Sequence, residues 1–156
     1  MGEFEKLLEP VRAIAQEAGE EILRIYEAGF SVQTKDDDTP VTEADYAAHD
    51  IIAKGLAKLA PGLPVLSEEA EIPEFTERQS WSRYWLVDPL DGTREFISRS
   101  GQFTVNIALI ENQQAVLGVI DVPVRRCSYY AVQNGAAYRR EVAGPRHEIA
   151  AHEWKG

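Results

Sequence analysis

The sequence contains the stretch Trp85-Leu-Val-Asp-Pro-Leu-Asp-Gly-Thr-Arg-Glu-Phe96, in which an apolar strand leads directly into two aspartates, Asp88 and Asp91. Pro89 disfavours a helical backbone at Asp88, and Gly92 permits a sharp turn before a short helix. The two carboxylates can therefore converge at the end of the strand. The same residues are also good turn formers, so a purely structural turn is the alternative interpretation.

Oxygen atoms are the chemically useful groups of this turn. The carboxylates of Asp88 and Asp91 and the backbone carbonyl of Leu90 are hard ligands that suit Mg²⁺ or Ca²⁺. The helix that starts at Gly92-Thr93 has unpaired backbone N–H groups that can hold a phosphate. The stretch therefore predicts a divalent cation beside a phosphate.

A second pair of acids, Glu68 and Glu69, directly follows the short predicted strand Pro64–Ser67. If both strands lie in one sheet, their ends bring several carboxylates together. Clustered carboxylates repel one another or take up protons unless a cation neutralises them. This arrangement favours a cation site over the alternative of a solvated acidic loop.

Outside these turns, the first 60 residues are predicted to be mainly helical. Apolar residues recur at helical spacing from Phe4 to Ile25, and the helix is expected to begin or bend at Pro10. Residues 31–40 are polar and include three adjacent aspartates, which predicts an exposed loop. Thr42-Glu-Ala-Asp45 has the form of a capping box and predicts the start of a second helix.

From residue 64 onward the periodicity shortens to that of strands. Hairpin-forming links such as Glu111–Gln114 and Asn134-Gly135 predict mostly antiparallel pairing. We therefore expect an α+β fold, with two helices packed on one face of a mainly antiparallel sheet, in one domain over residues 1–156. The predicted strands are Pro64–Ser67, Tyr84–Asp88, Phe103–Ile110, Ala115–Val122 and Cys127–Val132.

Composition argues against several classes of function. The chain has 26 acidic and 16 basic residues, a net charge of −10, so it repels the backbone of DNA and RNA. The single cysteine, Cys127, excludes an internal disulfide and a cysteine-built zinc site, which favours the cytoplasm. No apolar run approaches the roughly 20 residues that a membrane-spanning helix needs, so no transmembrane segment is expected.

The three histidines are assigned no functional role. His49 falls in the second predicted helix, where a lone histidine is more often a packing or surface residue than a ligand. His147 and His152 fall in a polar tail without spacing that suggests zinc.

Four motifs, in this order, resemble those of the lithium-sensitive, magnesium-dependent inositol monophosphatase superfamily: Val41–Asp45, Leu66–Glu69, Trp85–Thr93 and Glu95-Phe96. Within it, Phe103–Ile110 most resembles the CysQ type of 3'(2'),5'-bisphosphate nucleotidase. The resemblance implies a sugar-phosphatase-like fold and hydrolysis of adenosine 3',5'-bisphosphate to AMP and phosphate in sulphate assimilation. The alternatives are an inositol-monophosphatase-like sugar phosphatase and an inactive, truncated metal-binding fragment.

The resemblance also implies a set of metal ligands. Glu68, Asp88 and the carbonyl of Leu90 match the ligands of a first Mg²⁺, and Asp88 and Asp91 match those shared with a second. Glu69 matches a position that binds a third metal directly or through water, or that only adds negative charge. The intact family uses two or three ions.

Catalytic roles follow from the resemblance in the same way. Asp45 and Thr93 match the pair that activates the attacking water, and the N–H groups of Gly92 and Thr93 match the phosphate site. From the residues alone, Asp45 also fits as the return partner of the capping box begun by Thr42. Both roles for Asp45 stay open.

The sequence departs from the family in one respect. Members have a second lobe with a Trp-Asp motif whose aspartate completes the second metal site, and no tryptophan here (Trp81, Trp85, Trp154) precedes an aspartate. We therefore expect only the N-terminal, metal-binding lobe, with the C-terminal lobe absent, one robust Mg²⁺ site and an exposed apolar surface that favours self-association or low stability. The resemblance adds peripheral contact with the inner membrane, which no basic amphipathic segment explains.

Overall fold

A computed structural model describes residues 2–151 and confirms the α+β fold. Two long helices pack against each other and lie on one face of a seven-stranded sheet. The elements are α1 (Glu3–Ala28), β1 (Val32–Thr34), β2 (Pro40–Thr42), α2 (Glu43–Leu59), β3 (Val65–Ser67), α3 (Phe75–Arg78), β4 (Arg83–Asp91), α4 (Thr93–Ile97), β5 (Thr104–Glu111), β6 (Gln114–Val122), β7 (Cys127–Val132), β8 (Ala137–Glu141) and β9 (Arg146–Ile149), with one 3-10 turn at Pro123–Arg125.

The strands of the large sheet follow one another in chain order from β3 to β9. Strands β3 and β4 are parallel, with Ser67 opposite Val87, and every later neighbour is antiparallel. Because Ser67 and Val87 pair in parallel, Glu68, which follows β3, comes beside Asp88 in the last part of β4. The fold thus places the two acidic segments side by side.

Helix α1 corrects one expectation. It runs from Glu3 to Ala28 and contains Pro10, so the helix does not begin at Pro10. Proline lacks the N–H that would pair with the carbonyl of Lys6. Pro10 is exposed, so water can satisfy that carbonyl.

Residues 31–40 are not simply a loop. Strands β1 and β2 form a two-stranded antiparallel hairpin that extends from Val32 to Thr42, with Asp36 and Asp37 in its turn. Asp37 accepts hydrogen bonds from the backbone N–H and the hydroxyl of Thr39 and so stabilises the turn. All three residues of β1 are exposed, and a strand without a buried face has no apolar alternation to reveal it.

Three further elements were not predicted: α3, β8 and β9. Residues of β8 are half-buried or exposed and those of β9 are exposed, so these strands also lack alternation. His147 lies in β9, and the description of that segment as a polar tail was wrong. His152 and Trp154 lie outside the described residues.

The core lies between the two helices and the sheet. Its largest fully buried side chains are Trp85, Phe96 and Phe103. The opposite face of the sheet carries apolar side chains in contact with solvent: Leu86 is 43% and Ile120 46% exposed, beside a groove of about 570 Å³. This face of the sheet is therefore an exposed apolar surface.

Within residues 2–151, no helix combines the length and apolar character needed to cross a bilayer.

A buried carboxyl in the core predicts a pH-dependent stability. Asp121 accepts a hydrogen bond from Ser128, yet burial raises its pKa from about 3.8 to about 6, against the lowering effects of Ser128 and Arg12. A carboxyl with a raised pKa favours the folded state below its unfolded pKa, and this stability is lost as the pH rises through the folded value. The full effect is about 3 kcal/mol, about half of it between pH 5 and 8.

We therefore expect Asp121→Asn to be more stable than the wild type at pH 8 and to gain less at pH 5, as measured by urea unfolding. The exposed Asp50→Asn is the matched control and should follow the wild-type profile. Parallel pH profiles for the wild type and Asp121→Asn would contradict this assignment.

Candidate active site

The first residue of the site is Asp45, in the first turn of α2. Its side chain is fully buried and accepts hydrogen bonds from the backbone N–H (2.8 Å) and hydroxyl (2.7 Å) of Thr42 through Oδ2. In return, the Thr42 hydroxyl accepts from the backbone N–H of Ala44, which completes the predicted capping box. The other oxygen, Oδ1, accepts from the Thr93 hydroxyl at 2.9 Å. One carboxylate thus caps α2 and binds the first residue of α4.

The acidic segments meet where β3 and β4 end. A cavity of about 270 Å³ opens there between the β1–β2 hairpin and the start of α4. Its lining includes every predicted residue of the first two metal sites and of the phosphate site: Glu68, Asp88, Leu90, Asp91, Gly92 and Thr93. Arg94 and Glu95 also line it.

Among the side chains of the cavity, Asp88 has the least favourable environment for a negative charge. Its Oδ1 is buried and has no hydrogen-bond partner among the described residues. Burial, together with the charge and hydrogen bonding of Glu68 and the charges of Asp91 and Glu69, raises the pKa of Asp88 to about 7. An ionised carboxylate in this position needs a cation, and no described residue donates a hydrogen bond to its Oδ1.

Glu69 lies deeper than its neighbour Glu68. Its side chain is 3% exposed and pairs with the Lys35 ammonium at 2.8 Å, whereas the Glu68 side chain is 56% exposed and 4.0 Å from the same ammonium. Burial raises the pKa of Glu69 although Lys35 lowers it. Glu69 therefore already has a cationic partner, and Glu68 faces the cavity.

The acids do not form a closed coordination shell. Within residues 2–151, no three His, Cys, Asp or Glu side chains are arranged closely enough to hold a metal ion. Carboxylates that face one another without a cation repel one another. In addition, one of the predicted ligands of the first metal is a backbone carbonyl, that of Leu90. The site is therefore a group of candidate ligands around one cavity.

Three residues next to the site were not predicted from the sequence. Asn106, opposite Asp88 on β5, donates a hydrogen bond to Asp91 Oδ2 at 3.1 Å, and a polar residue within an apolar strand could have indicated it. Lys35 was hidden in a segment interpreted as a loop. His49 lies 2.8 Å from the Ser67 hydroxyl through Nδ1, and the single sequence contains nothing that pairs these two residues.

The turn into α4 depends on a glycine. Gly92 has φ 95° and ψ 43°, and a Cβ there would lie 2.8 Å from the carbonyl oxygen of Gln102. We expect Gly92→Ala to lower the free energy of unfolding by about 2–4 kcal/mol, the cost of a left-handed residue plus a clash with backbone. Chemical denaturation measures this loss.

The matched control is Gly118→Ala on β6, where a Cβ would meet no atom within 4 Å. This variant should be as stable as the wild type within about 1 kcal/mol. Equal stability of the two variants would show that the conformation at Gly92 is not needed.

Known proteins resemble this chain in both sequence and architecture. The sequence profile of the inositol monophosphatase family matches residues 3–152. The 3'(2'),5'-bisphosphate nucleotidase CysQ of Salmonella typhimurium is 50% identical over 149 residues, 94% of this chain and 59% of the relative. CysQ of Aggregatibacter actinomycetemcomitans is 46% identical over 94% of this chain and 54% of its own length.

Solved structures give the same result. CysQ from Bacteroides thetaiotaomicron aligns with a TM-score of 0.69 and 45% identity, over 82% of this chain and 46% of that one. The extragenic suppressor protein SuhB of Bartonella henselae aligns with a TM-score of 0.74 and 30% identity, over 84% and 50%. The chain thus spans between half and three fifths of the curated relatives described here, and it belongs to the inositol monophosphatase family.

Proposed function

We propose that this chain forms the metal-binding and water-activating part of a Mg²⁺-dependent phosphatase whose substrates are 3'(2'),5'-bisphosphate nucleotides. The proposal depends on the observation that one and the same cavity is lined by Glu68, Asp88, Leu90, Asp91 and Thr93. The substrate class is supported by relatives named as bisphosphate nucleotidases at 46–50% identity.

The donors present fit Mg²⁺. Glu68, Asp88, Asp91 and the Leu90 carbonyl supply oxygen ligands only, which is the preference of that ion. The unpartnered buried oxygen of Asp88 is the group that most needs a cation. When bound, Mg²⁺ lowers the pKa of a coordinated water and stabilises negative charge on the leaving oxygen. We propose one robust site from Glu68, Asp88 and Leu90, and a weaker one that includes Asp91, with Glu69 as a candidate for a third.

The pair of Asp45 and Thr93 supports the activation of water. Because the Thr93 hydroxyl donates to Asp45 Oδ1, its oxygen retains lone pairs directed away from that bond. A water that donates to this oxygen would be deprotonated as Thr93 passes its own proton to Asp45. The capping hydrogen bonds from Thr42 fix the carboxylate for this step.

The start of α4 supports phosphate binding. The first N–H groups of a helix lack partners within it, and Gly92, in a left-handed conformation, and Thr93 both line the cavity where α4 begins. Arg94 adds a positive charge at the same cavity. We propose that these groups hold the phosphoryl group beside the metal ligands.

Hydrolysis by the chain itself tests the proposal. With Mg²⁺ present, we expect phosphate release from adenosine 3',5'-bisphosphate to exceed release from inositol 1-phosphate, with Asp88→Asn as the inactive control. Equal or faster release from inositol phosphate would refute the nucleotidase assignment. Calorimetric Mg²⁺ binding without release from either substrate would instead support a non-catalytic metal-binding module.

Two further proposals concern the cellular location and the self-association of the protein. A cytoplasmic location is supported by the single, buried cysteine, Cys127. Self-association is supported by the apolar sheet face around Leu86 and Ile120, and sedimentation velocity at several concentrations would measure it. Peripheral membrane contact stays a prediction.

A further inference from the structure

His49 and Ser67 form a contact that links helix α2 to the end of strand β3. The distance from His49 Nδ1 to Ser67 Oγ is 2.8 Å. Ser67 is 3% exposed and His49 is half-buried, so water competes only weakly for this hydrogen bond. The contact joins a residue from each side of the interface between helix and sheet.

The Ser67 hydroxyl also holds the turn that carries the two glutamates. It accepts from the backbone N–H of Glu69 at 3.4 Å, and the Ser67 carbonyl accepts from the N–H of Ala70 at 3.3 Å. The N–H of Glu68 bonds back to the carbonyl of Val87 on β4. The orientation of Ser67 therefore sets the direction in which the chain leaves β3.

Helix α2 contacts both strand ends through one of its faces. Asp45 and His49 are four residues apart and so project from the same side of the helix. Asp45 binds Thr93 beyond β4, and His49 binds Ser67 at the end of β3. One rigid helix thus fixes the relative position of the water-activating pair and of the glutamate turn.

We propose that His49 is a positioning residue for the metal site: through Ser67, it fixes the turn that carries Glu69 and presents Glu68 to the cavity. This inference rests on the proposed function, because the metal ligand that His49 would position is one of those named there. His49 itself lines neither the cavity nor the predicted ligand shell. Loss of a residue that orients metal ligands commonly weakens metal binding 10- to 100-fold.

The test combines metal affinity with local amide exchange. His49→Ala is expected to weaken Mg²⁺ binding by calorimetry about tenfold and to accelerate hydrogen exchange at the Glu69 amide of the metal-free protein by a similar factor. His49→Asn places an amide group near the position of Nδ1 and should restore both values to within about threefold. Ser67→Ala should reproduce His49→Ala, and the double variant should be no worse than either single one.

The matched control is His147→Ala on the exposed strand β9, which should leave Mg²⁺ affinity and exchange at Glu69 unchanged. A His49→Ala variant that loses thermal stability but keeps wild-type Mg²⁺ affinity and exchange at Glu69 would overturn the inference. Failure of His49→Asn to rescue either value would also overturn it. A wild-type chain that binds no Mg²⁺ would refute the proposed function, and exchange at Glu69 would still decide whether His49 holds the turn.

Discussion

Asp88→Asn is expected to abolish Mg²⁺ binding by the chain, leave the fold intact and raise the melting temperature of the metal-free protein. The two effects have opposite signs for one reason. Asp88 holds a buried oxygen that has no hydrogen-bond partner within residues 2–151, and burial together with the neighbouring carboxylates raises its pKa. Its charge destabilises the metal-free fold and is the strongest attraction for a cation.

Thermal unfolding with and without Mg²⁺ measures both effects. At a Mg²⁺ concentration 100 times the dissociation constant, the wild type should gain about 2.7 kcal/mol, and Asp88→Asn should gain none. Asp121→Asn is the matched control, since Asp121 is also a buried carboxyl with a raised pKa but lies outside the cavity. Unchanged Mg²⁺ affinity in Asp88→Asn would refute its assignment as a ligand.

The second large effect is expected at Asp45, where a structural and a catalytic role coincide. Asp45→Ala removes the cap of α2 and leaves the donors of Thr42 and Thr93 without their acceptor. We expect a loss of about 2–4 kcal/mol in the free energy of unfolding. The rate of phosphate release should fall about 10²- to 10⁴-fold, the range for loss of a general base.

Thr93→Val separates the two roles, because it removes only the hydroxyl that links Asp45 to the cavity. This variant should lose about 1 kcal/mol of stability, the value of one hydrogen bond, yet its rate should fall as far as that of Asp45→Ala. Mg²⁺ affinity should stay at the wild-type value. A fully active Thr93→Val would show that Asp45 acts only as a helix cap.

Much of this architecture was predictable because its determinants are local in sequence. The capping box at Thr42 and Asp45 and the turn after β4 are set by side chains a few residues apart, and both formed as expected. The strands that were missed have no alternation of buried apolar and exposed polar residues to detect, as in exposed β1 and polar β8.

In the candidate site, too, the residues set by local sequence were predicted and those set by long-range contacts were not. The acids were found because one pair directly follows β3 and the other lies in the last four residues of β4. The contacts of Lys35 with Glu69 and of His49 with Ser67 join residues 34 and 18 positions apart. Such contacts depend on how the hairpin and α2 pack beside the sheet, which no local pattern in a single sequence specifies.

The proposed function requires that acids from separate parts of the chain surround one divalent cation. A crystal of the chain soaked in Mn²⁺, with anomalous diffraction collected at the manganese edge, tests this directly. We expect an anomalous peak within coordination distance of Glu68, Asp88 and the Leu90 carbonyl oxygen, in the cavity that Thr93 also lines. No peak in that cavity, or a peak bound only by other residues, would contradict it.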